Sequence, residues 1–190
     1  MKRIDELKDV KTVAIGGHMR PDGDCVCSCL ALYHYLKKEL PGARVDVYLE
    51  EPTAPFRVLE GIEDIKSKFN NEEIYDVFFA LDCNDERLGG ALPIYRRAKR
   101  RVNIDHHISN TGCGDVNIIE PEKSSTAELL YELMEPELVD EVIAKTIYVG
   151  IAHDTGVFRY SNTSPRTMEI AAELLKFEFD FSALIEKTFY

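Results

Sequence analysis

The chain has 190 residues, 45% of them hydrophobic and 30% charged, with a formal net charge of −11. That length carries one well-packed domain and leaves little room for a second. No run of about 18 apolar residues occurs, and the start MKRIDELKDVK is charged where a signal peptide needs an apolar stretch, so the sequence reads as cytoplasmic with no membrane partner. The acidic balance also argues against a binder of long duplex nucleic acid, which favours a basic surface. It leaves a small phosphate ester open as substrate. Asp22, Asp24, Asp82, Asp105 and Asp154 supply five of the negative charges, and two divalent cations would return about +4 at that place.

The predicted elements alternate. Lys11 to Gly17 (KTVAIGG) reads as a strand ended by two glycines. A helix follows from Asp24 to Glu39, its apolar residues Cys25, Cys29, Leu32 and Leu36 at helical spacing. Asp24 stands near the start as a candidate N-cap, and Pro41–Gly42 stops the helix. Arg44 to Leu49 (RVDVYL) alternates as a second strand. Residues 53–69 are mixed and read as one short helix and a small strand around Ile65. Tyr75 to Leu81 (YDVFFAL) is a near-continuous apolar run, the pattern of a strand buried on both faces of a parallel sheet. Arg101 to Ile104 and Asp115 to Ile119 read as further strands. Helices are expected over Ser125–Met134, Glu137–Ala152 and Pro165–Phe177. The fold class is therefore α/β, a mostly parallel central sheet flanked by helices, with a helical C-terminal third.

Cys25, Cys27, Cys29, Cys83 and Cys113 are odd in number and lack a secretory context, so free thiols are expected. Cys25, Cys27 and Cys29 invite a zinc reading. On a helix, however, steps of two rotate by about 200° and point neighbours to opposite faces, so small buried fillers are the better reading.

Four segments end an element with hard or borderline metal ligands. They are His18-Met-Arg-Pro-Asp22-Gly-Asp24 after the first strand, Asp82 after YDVFFAL, Asp105-His106-His107 after RVNI, and Asp154 within GIAHDTG. Pro21 and Gly23 force a tight path that can turn His18, Asp22 and Asp24 toward one point. Three of the four lie at carboxyl ends of predicted strands, where ligands bind in open α/β sheets. Taken singly, Asp22 suits a turn, Asp24 a helix cap, Asp82 a loop start, His106 or His107 a structural histidine, and His153 a helix surface. Together, buried carboxylates at such positions repel one another unless cations neutralise them. A His and Asp set without Cys suits Mn²⁺, with Mg²⁺, Co²⁺ or Zn²⁺ as alternatives. Two cations a few ångströms apart can share a carboxylate, hold a bridging hydroxide and neutralise a phosphoryl oxygen during in-line attack. The basic run Arg96-Arg97-Ala-Lys99-Arg100-Arg101 either steers phosphates toward the adjoining triplet or is a solvated helix end and strand entrance.

HMRPDGDCVCSCLAL, ALDCND, NIDHH and GIAHDTGVFRYSNTSPRTMEIAAELL together resemble the four ordered signatures of the DHH phosphoesterases, over roughly Thr12 to Leu175. Within that family the first motif and TGVFRYSNTSPRT resemble the branch of bifunctional oligoribonucleases and pAp phosphatases. The resemblance implies that His18 and Asp22 hold one metal, that Asp24, His106 and Asp154 hold the other, and that Asp82 bridges both. It implies catalytic roles for Asp82, for His107 beside the substrate phosphate, and for Asp105 in orienting a histidine. Ser28 and Arg159 stand as substrate-side or supporting positions. Cys25 and Cys27 replace small residues common in the family, and a thiol there would make activity sensitive to oxidation.

The same resemblance makes residues 1–190 a catalytic domain, cut before a C-terminal DHH-associated domain that binds the distal part of the substrate; no glycine-rich, His-containing motif of that kind occurs before Phe189–Tyr190. Expected partners are a short single-stranded oligonucleotide or a small nucleotide (nanoRNA, pApA, pAp), the missing domain, and in some settings a second copy as a homodimer. A pyrophosphatase or exopolyphosphatase, a cyclic-dinucleotide phosphodiesterase, and a non-catalytic metal or nucleotide binder remain alternatives.

Overall fold

Six strands, β1 (Thr12–Gly16), β2 (Arg44–Tyr48), β3 (Ile65–Lys66), β4 (Val77–Leu81), β5 (Arg100–Asp105) and β6 (Val116–Ile119), form one sheet in the order β3-β2-β1-β4-β5-β6. Every pairing is parallel. The computed structural model describes residues 1, 2, 4, 7 and 9–189; Tyr190, the last residue of the expected approach to a linker, lies outside them.

Side-chain alternation divides the sheet between two cores. Val13, Ile15, Val47, Val77, Phe79, Val102 and Ile104 face a thick helical layer of α1 (Gly23–Glu39), α3 (Thr126–Leu133) and α4 (Glu141–Asp154). Two more helices, α5 (Pro165–Leu174) and α6 (Phe181–Phe189), pack onto α4 from outside. Ala14, Tyr48, Phe78 and Ala80 face the opposite side, covered by the short α2 (Leu92–Arg97) and neighbouring loops. Burial on both faces explains the unbroken apolar run of β4, where each large side chain contributes roughly 1.5–3 kcal/mol.

Strand order reverses between β1 and β4: the chain leaves β1 toward β2 and leaves β4 toward β5. A crevice at the carboxyl ends of the two strands follows from that reversal, and this is where open α/β sheets bind ligands.

Several boundaries differ from the expectation. Asp22, not Asp24, is the N-cap of α1, its carboxylate accepting from the Cys25 amide at 3.1 Å. Residues 54–58 and 62–64 form 3₁₀ turns in place of one short helix. Pro136–Leu138 forms another such turn, so α4 starts at Glu141 behind the cap Asp140 and runs on to Asp154. Asp154 therefore belongs to a last helical turn. The basic run is tied down at the amino end of β5, Lys99 pairing with Asp76 at 2.7 Å and Arg101 with Asp115 at 2.8 Å. Six residue steps of extended chain put Arg100 roughly 20 Å from His106, so the run does not adjoin the triplet in space.

Candidate metal centre

Gly16 and Gly17 end β1 because other elements crowd it. A Cβ on Gly17 would lie 2.2 Å from the Cys25 Sγ, so glycine there lets α1 start directly against the strand. His18 follows, buried, with Nδ1 donating to the Met19 carbonyl at 2.9 Å. That bond fixes the ring and turns Nε2 toward Asp22 Oδ2 at 3.6 Å and Asp82 Oδ2 at 3.5 Å.

Asp82 has a left-handed backbone (φ 59°), a conformation aspartate tolerates, in the turn that leaves β4. Its second oxygen, Oδ1, faces the other histidines: His106 Nε2 at 3.7 Å and His107 Nδ1 at 3.5 Å. His106 in turn anchors Nδ1 on the Lys123 carbonyl at 3.2 Å and aims Nε2 at Asp154 Oδ2 at 3.3 Å and Asp24 Oδ2 at 3.9 Å. Fully buried Asp105 lies beneath, accepting from the His107 ring at 2.8 Å, from the amides of His106 and His107, and from Asn110. The fold thus gathers all seven predicted side chains, with Asp105 underneath, from segments up to 136 residues apart (154 − 18). His18, Asp22 and one oxygen of Asp82 make one group; Asp24, His106, Asp154 and the other oxygen make a second.

Both anchored imidazoles, when neutral, present a lone pair to carboxylate oxygens, an arrangement that repels unless a cation or a proton sits between. The charge states say the same. Burial disfavours a charged His18, yet its bonds to Asp22 and Asp82 outweigh that and hold it well above the usual histidine range. Burial and repulsion from Asp82 and Asp154 push Asp24 up. Burial raises Asp154 to about 6, with His106 opposing and Asp82 and Asp22 adding repulsion. Asp22 is exposed; the partial desolvation it feels among neighbouring groups is overcome by His18 and the Cys25 amide, and the group is lowered to about 2. Protons do here what cations would do better. First-row cations with bonds near 2.0–2.2 Å hold neighbouring donors roughly 3–4 Å apart, and the spacings above fit.

Residues outside the sequence reading complete the site. Thr126 and Ala127, at the start of α3, donate their amides to Asp24 at 2.7 and 2.9 Å, and the Thr126 hydroxyl donates to Asp82 at 3.0 Å. The string Ser-Ser-Thr-Ala-Glu (124–128) announces a helix start, which is the one signal that could have found them. Ser28 donates to Asp24 at 3.2 Å, a supporting contact. Arg159 is exposed in the turn after Asp154. Cys25, expected as a filler, is buried but also comes within 4.8 Å of ligand atoms of His18 and Asp82; burial pushes its thiol up and keeps it protonated. Cys27 faces α4 instead, so the three thiols do not converge.

His153 is not a surface residue. Its ring stacks on Phe189 at 3.9 Å, packs on Phe56 and fills the space a Gly23 Cβ would need. The return of α6 onto the end of α4 is what encloses it.

The sequence family described as DHH family, N-terminal domain, matches residues 12–151, nearly three-quarters of the chain and all but Asp154 of the gathered side chains. This chain belongs to the DHH family. As a DHH domain it is 29% identical over 177 residues to the bifunctional oligoribonuclease and PAP phosphatase NrnA of Thermus thermophilus, covering 92% of this chain and 53% of that protein. It is 30% identical to a probable NrnA of Streptococcus mutans, covering 95% and 57%. Among solved structures it superposes on an exopolyphosphatase-related protein from Bacteroides fragilis with a TM-score of 0.86 and 28% identity, over 96% of this chain and 57% of that one. The DHH domain here thus spans just over half the length of the curated relatives it matches. No helix among the described residues is long and apolar enough to cross a membrane.

Proposed function

We propose that this DHH domain hydrolyses phosphate esters of short oligonucleotides or small nucleotides at a pair of divalent cations. The observation that carries the reading is Asp82, with one carboxylate oxygen turned to His18 and the other to His106 and His107. His18 and Asp22 would hold one cation, Asp24, His106 and Asp154 the other, and Asp82 both. When bound, the pair supplies charge neutralisation for the phosphoryl oxygens and acidifies water to serve as nucleophile. The oxygen and imidazole donor set favours Mn²⁺ and admits Mg²⁺, Co²⁺ or Zn²⁺.

His107 does a different job. Its bond to Asp105 raises its basicity against the opposing effect of burial, and the nearby Asp82 adds to the rise. A half-exposed ring at the rim, when protonated, can donate to a phosphate oxygen or to the leaving oxygen. Asp105, kept ionised against burial by the His107 ring and Asn110, fixes that ring. His107→Ala is expected to keep the metal content of the wild type while slowing hydrolysis by about 10²–10³-fold. Elemental analysis beside steady-state rates checks this, and an unchanged rate removes His107 from catalysis.

The reading also makes residues 1–190 the catalytic half of a longer enzyme, in which a further domain grips the distal part of the substrate. The resemblance of the relatives' names supports RNA oligomers and PAP as substrates. The likeness to an exopolyphosphatase-related structure favours phosphoanhydrides as the second reading. Parallel assays with Mn²⁺ on pApA, pAp, short RNA and pyrophosphate, on this chain and on a longer one, decide between them. Turnover of pyrophosphate alone would overturn the nucleotide reading.

Acid should compete with the cations. Asp154 at about 6 lies above the ordinary 3.8, and Asp24 and His18 are raised as well. Each raised group stabilises the metal-free fold when protonated. For Asp154 that benefit is full below about pH 4 and lost as pH rises through about 6. Asp22 acts oppositely, but its benefit disappears only as pH falls toward about 2, outside the working range. The melting temperature in chelator should therefore rise between pH 7.5 and pH 5, and the gain on adding Mn²⁺ should shrink over the same interval. A gain as large at pH 5 as at pH 7.5 would contradict the ligand set.

A further inference from the structure

The residues after Asp82 fold into a 3₁₀ turn, Asp85–Arg87, which lays a second polar cluster against the rim of the metal centre. A cavity of about 40 Å³ opens there, lined by Asn84, Arg87, Asp105, His107, Ser109 and Asn110 among others; the Asp105 carboxylate in its wall is already engaged by the His107 ring and the Asn110 amide. The cavity is slightly more than the roughly 30 Å³ one water takes in the liquid, enough for a single phosphoryl oxygen with the rest of its group at the mouth.

Three features of its walls suit an anion that is not the one attacked. The first is Arg87. Arg44, Arg101 and Arg166 are each committed to a carboxylate, of Asp46, Asp115 and Glu132. The Arg87 guanidinium has no such partner among the described residues and is exposed. The second is how firmly its backbone is held. The Met19 amide donates to the Arg87 carbonyl at 2.8 Å, and the Arg87 amide donates to the Asn84 carbonyl at 3.3 Å. Arg87 is thereby locked to the residue after His18 on one side and to the loop after Asp82 on the other. The third is Asn84, whose Oδ1 is buried without a hydrogen-bond partner. A half-turn of that carboxamide offers the cavity amide donors in place of the acceptor, the group an anion needs.

We propose that Arg87, with Asn84 and Ser109, forms a subsite for a second, non-reacting phosphate of the substrate. The subsite rests on the nucleotide phosphoesterase reading. It gives that reading a selectivity: ligands with two phosphates are preferred over ligands with one, because a guanidinium grips a phosphate through paired donors while His107 serves the reacting group.

Binding to the Mn²⁺-supplemented protein tests this without turnover. Methylene diphosphonate, which is not hydrolysed, is compared with orthophosphate, and pAp with the two adenosine monophosphates. The wild type is expected to prefer the two-phosphate member of each pair by roughly tenfold or more. Arg87→Gln should remove most of that preference, and Arg87→Lys should recover part of it. Asn84→Asp, isosteric but anionic, should weaken the two-phosphate ligands further. Arg96→Gln, on α2 and away from the site, should leave the preference intact. An unchanged preference in Arg87→Gln, at an unchanged melting temperature, overturns the subsite, as does a wild type with no preference. Failure of the nucleotide reading shows up separately, as absence of nucleotide hydrolysis by the wild type, while the diphosphonate comparison still reports on Arg87.

Discussion

On the proposed two-cation reading, Asp82→Asn is expected to lower hydrolysis by at least about 10³-fold, because a neutral amide cannot be the common ligand of two cations that together would supply several kcal/mol of charge stabilisation. The substitution keeps the shape and keeps an acceptor for the Thr126 hydroxyl, so packing around α3 should survive. Its effect on stability should be smaller. In the metal-free protein Asp82 adds repulsion to Asp24 and Asp154, both raised in part on its account, but it also pairs with His18 and His107. These opposing contributions should leave the chelated variant close to the chelated wild type in melting temperature, while most of the gain from Mn²⁺ disappears. Calorimetry with and without chelator, beside elemental analysis, reads both parts. Two fully occupied ions per chain in the variant would rule out the bridge, whatever the rates.

The second large effect is expected at Gly150, in the middle of α4. Exposed helical Gly→Ala changes usually gain about 1 kcal/mol. At this position the new Cβ would meet the Ala127 Cβ at 2.7 Å and the Cys27 Cβ at 3.0 Å, with Asp24 Oδ1 at 3.3 Å. Neither β-carbon can swing aside by a rotamer change, so three helices must separate. Overpacking of that kind costs about 1–3 kcal/mol and more for a branched side chain. Gly150→Ala should therefore lower the melting temperature by a few degrees in spite of its helix propensity, and Gly150→Val by more, with loss of metal as Asp24 is displaced. A Gly150→Ala protein more stable than the wild type would mean that the close approach of α4 to α1 and α3 is not there.

The sequence carried much of this, and unevenly. YDVFFAL announced the central strand because burial on both faces leaves no room for polar residues, and the ligand motifs stood out because their side chains suit little else at strand ends. The start of α4 is hidden because the periodic pattern continues back through Pro136–Leu138, while the cap Asp140 looks like any surface aspartate. His153 looks exposed in the sequence because its cover, Phe189, lies 36 residues downstream on a helix the pattern does not reveal. Thr126 and Ala127 are silent for a deeper reason. Two of their three contacts are made by backbone amides, which every residue owns, and the partner is 102 or 103 residues away. Only the fold says which amides matter.

Those two amides have a consequence for recognition. The opening turn of a helix is a ready berth for phosphate, with free N–H groups and a favourable dipole. In α3 that berth is already taken by Asp24, a carboxylate of the protein itself. On the proposed reading, an arriving phosphate finds no helix end to settle on at this spot and is met by cations and by side chains, so whatever discriminates among substrates here is written in residues that can be exchanged one at a time.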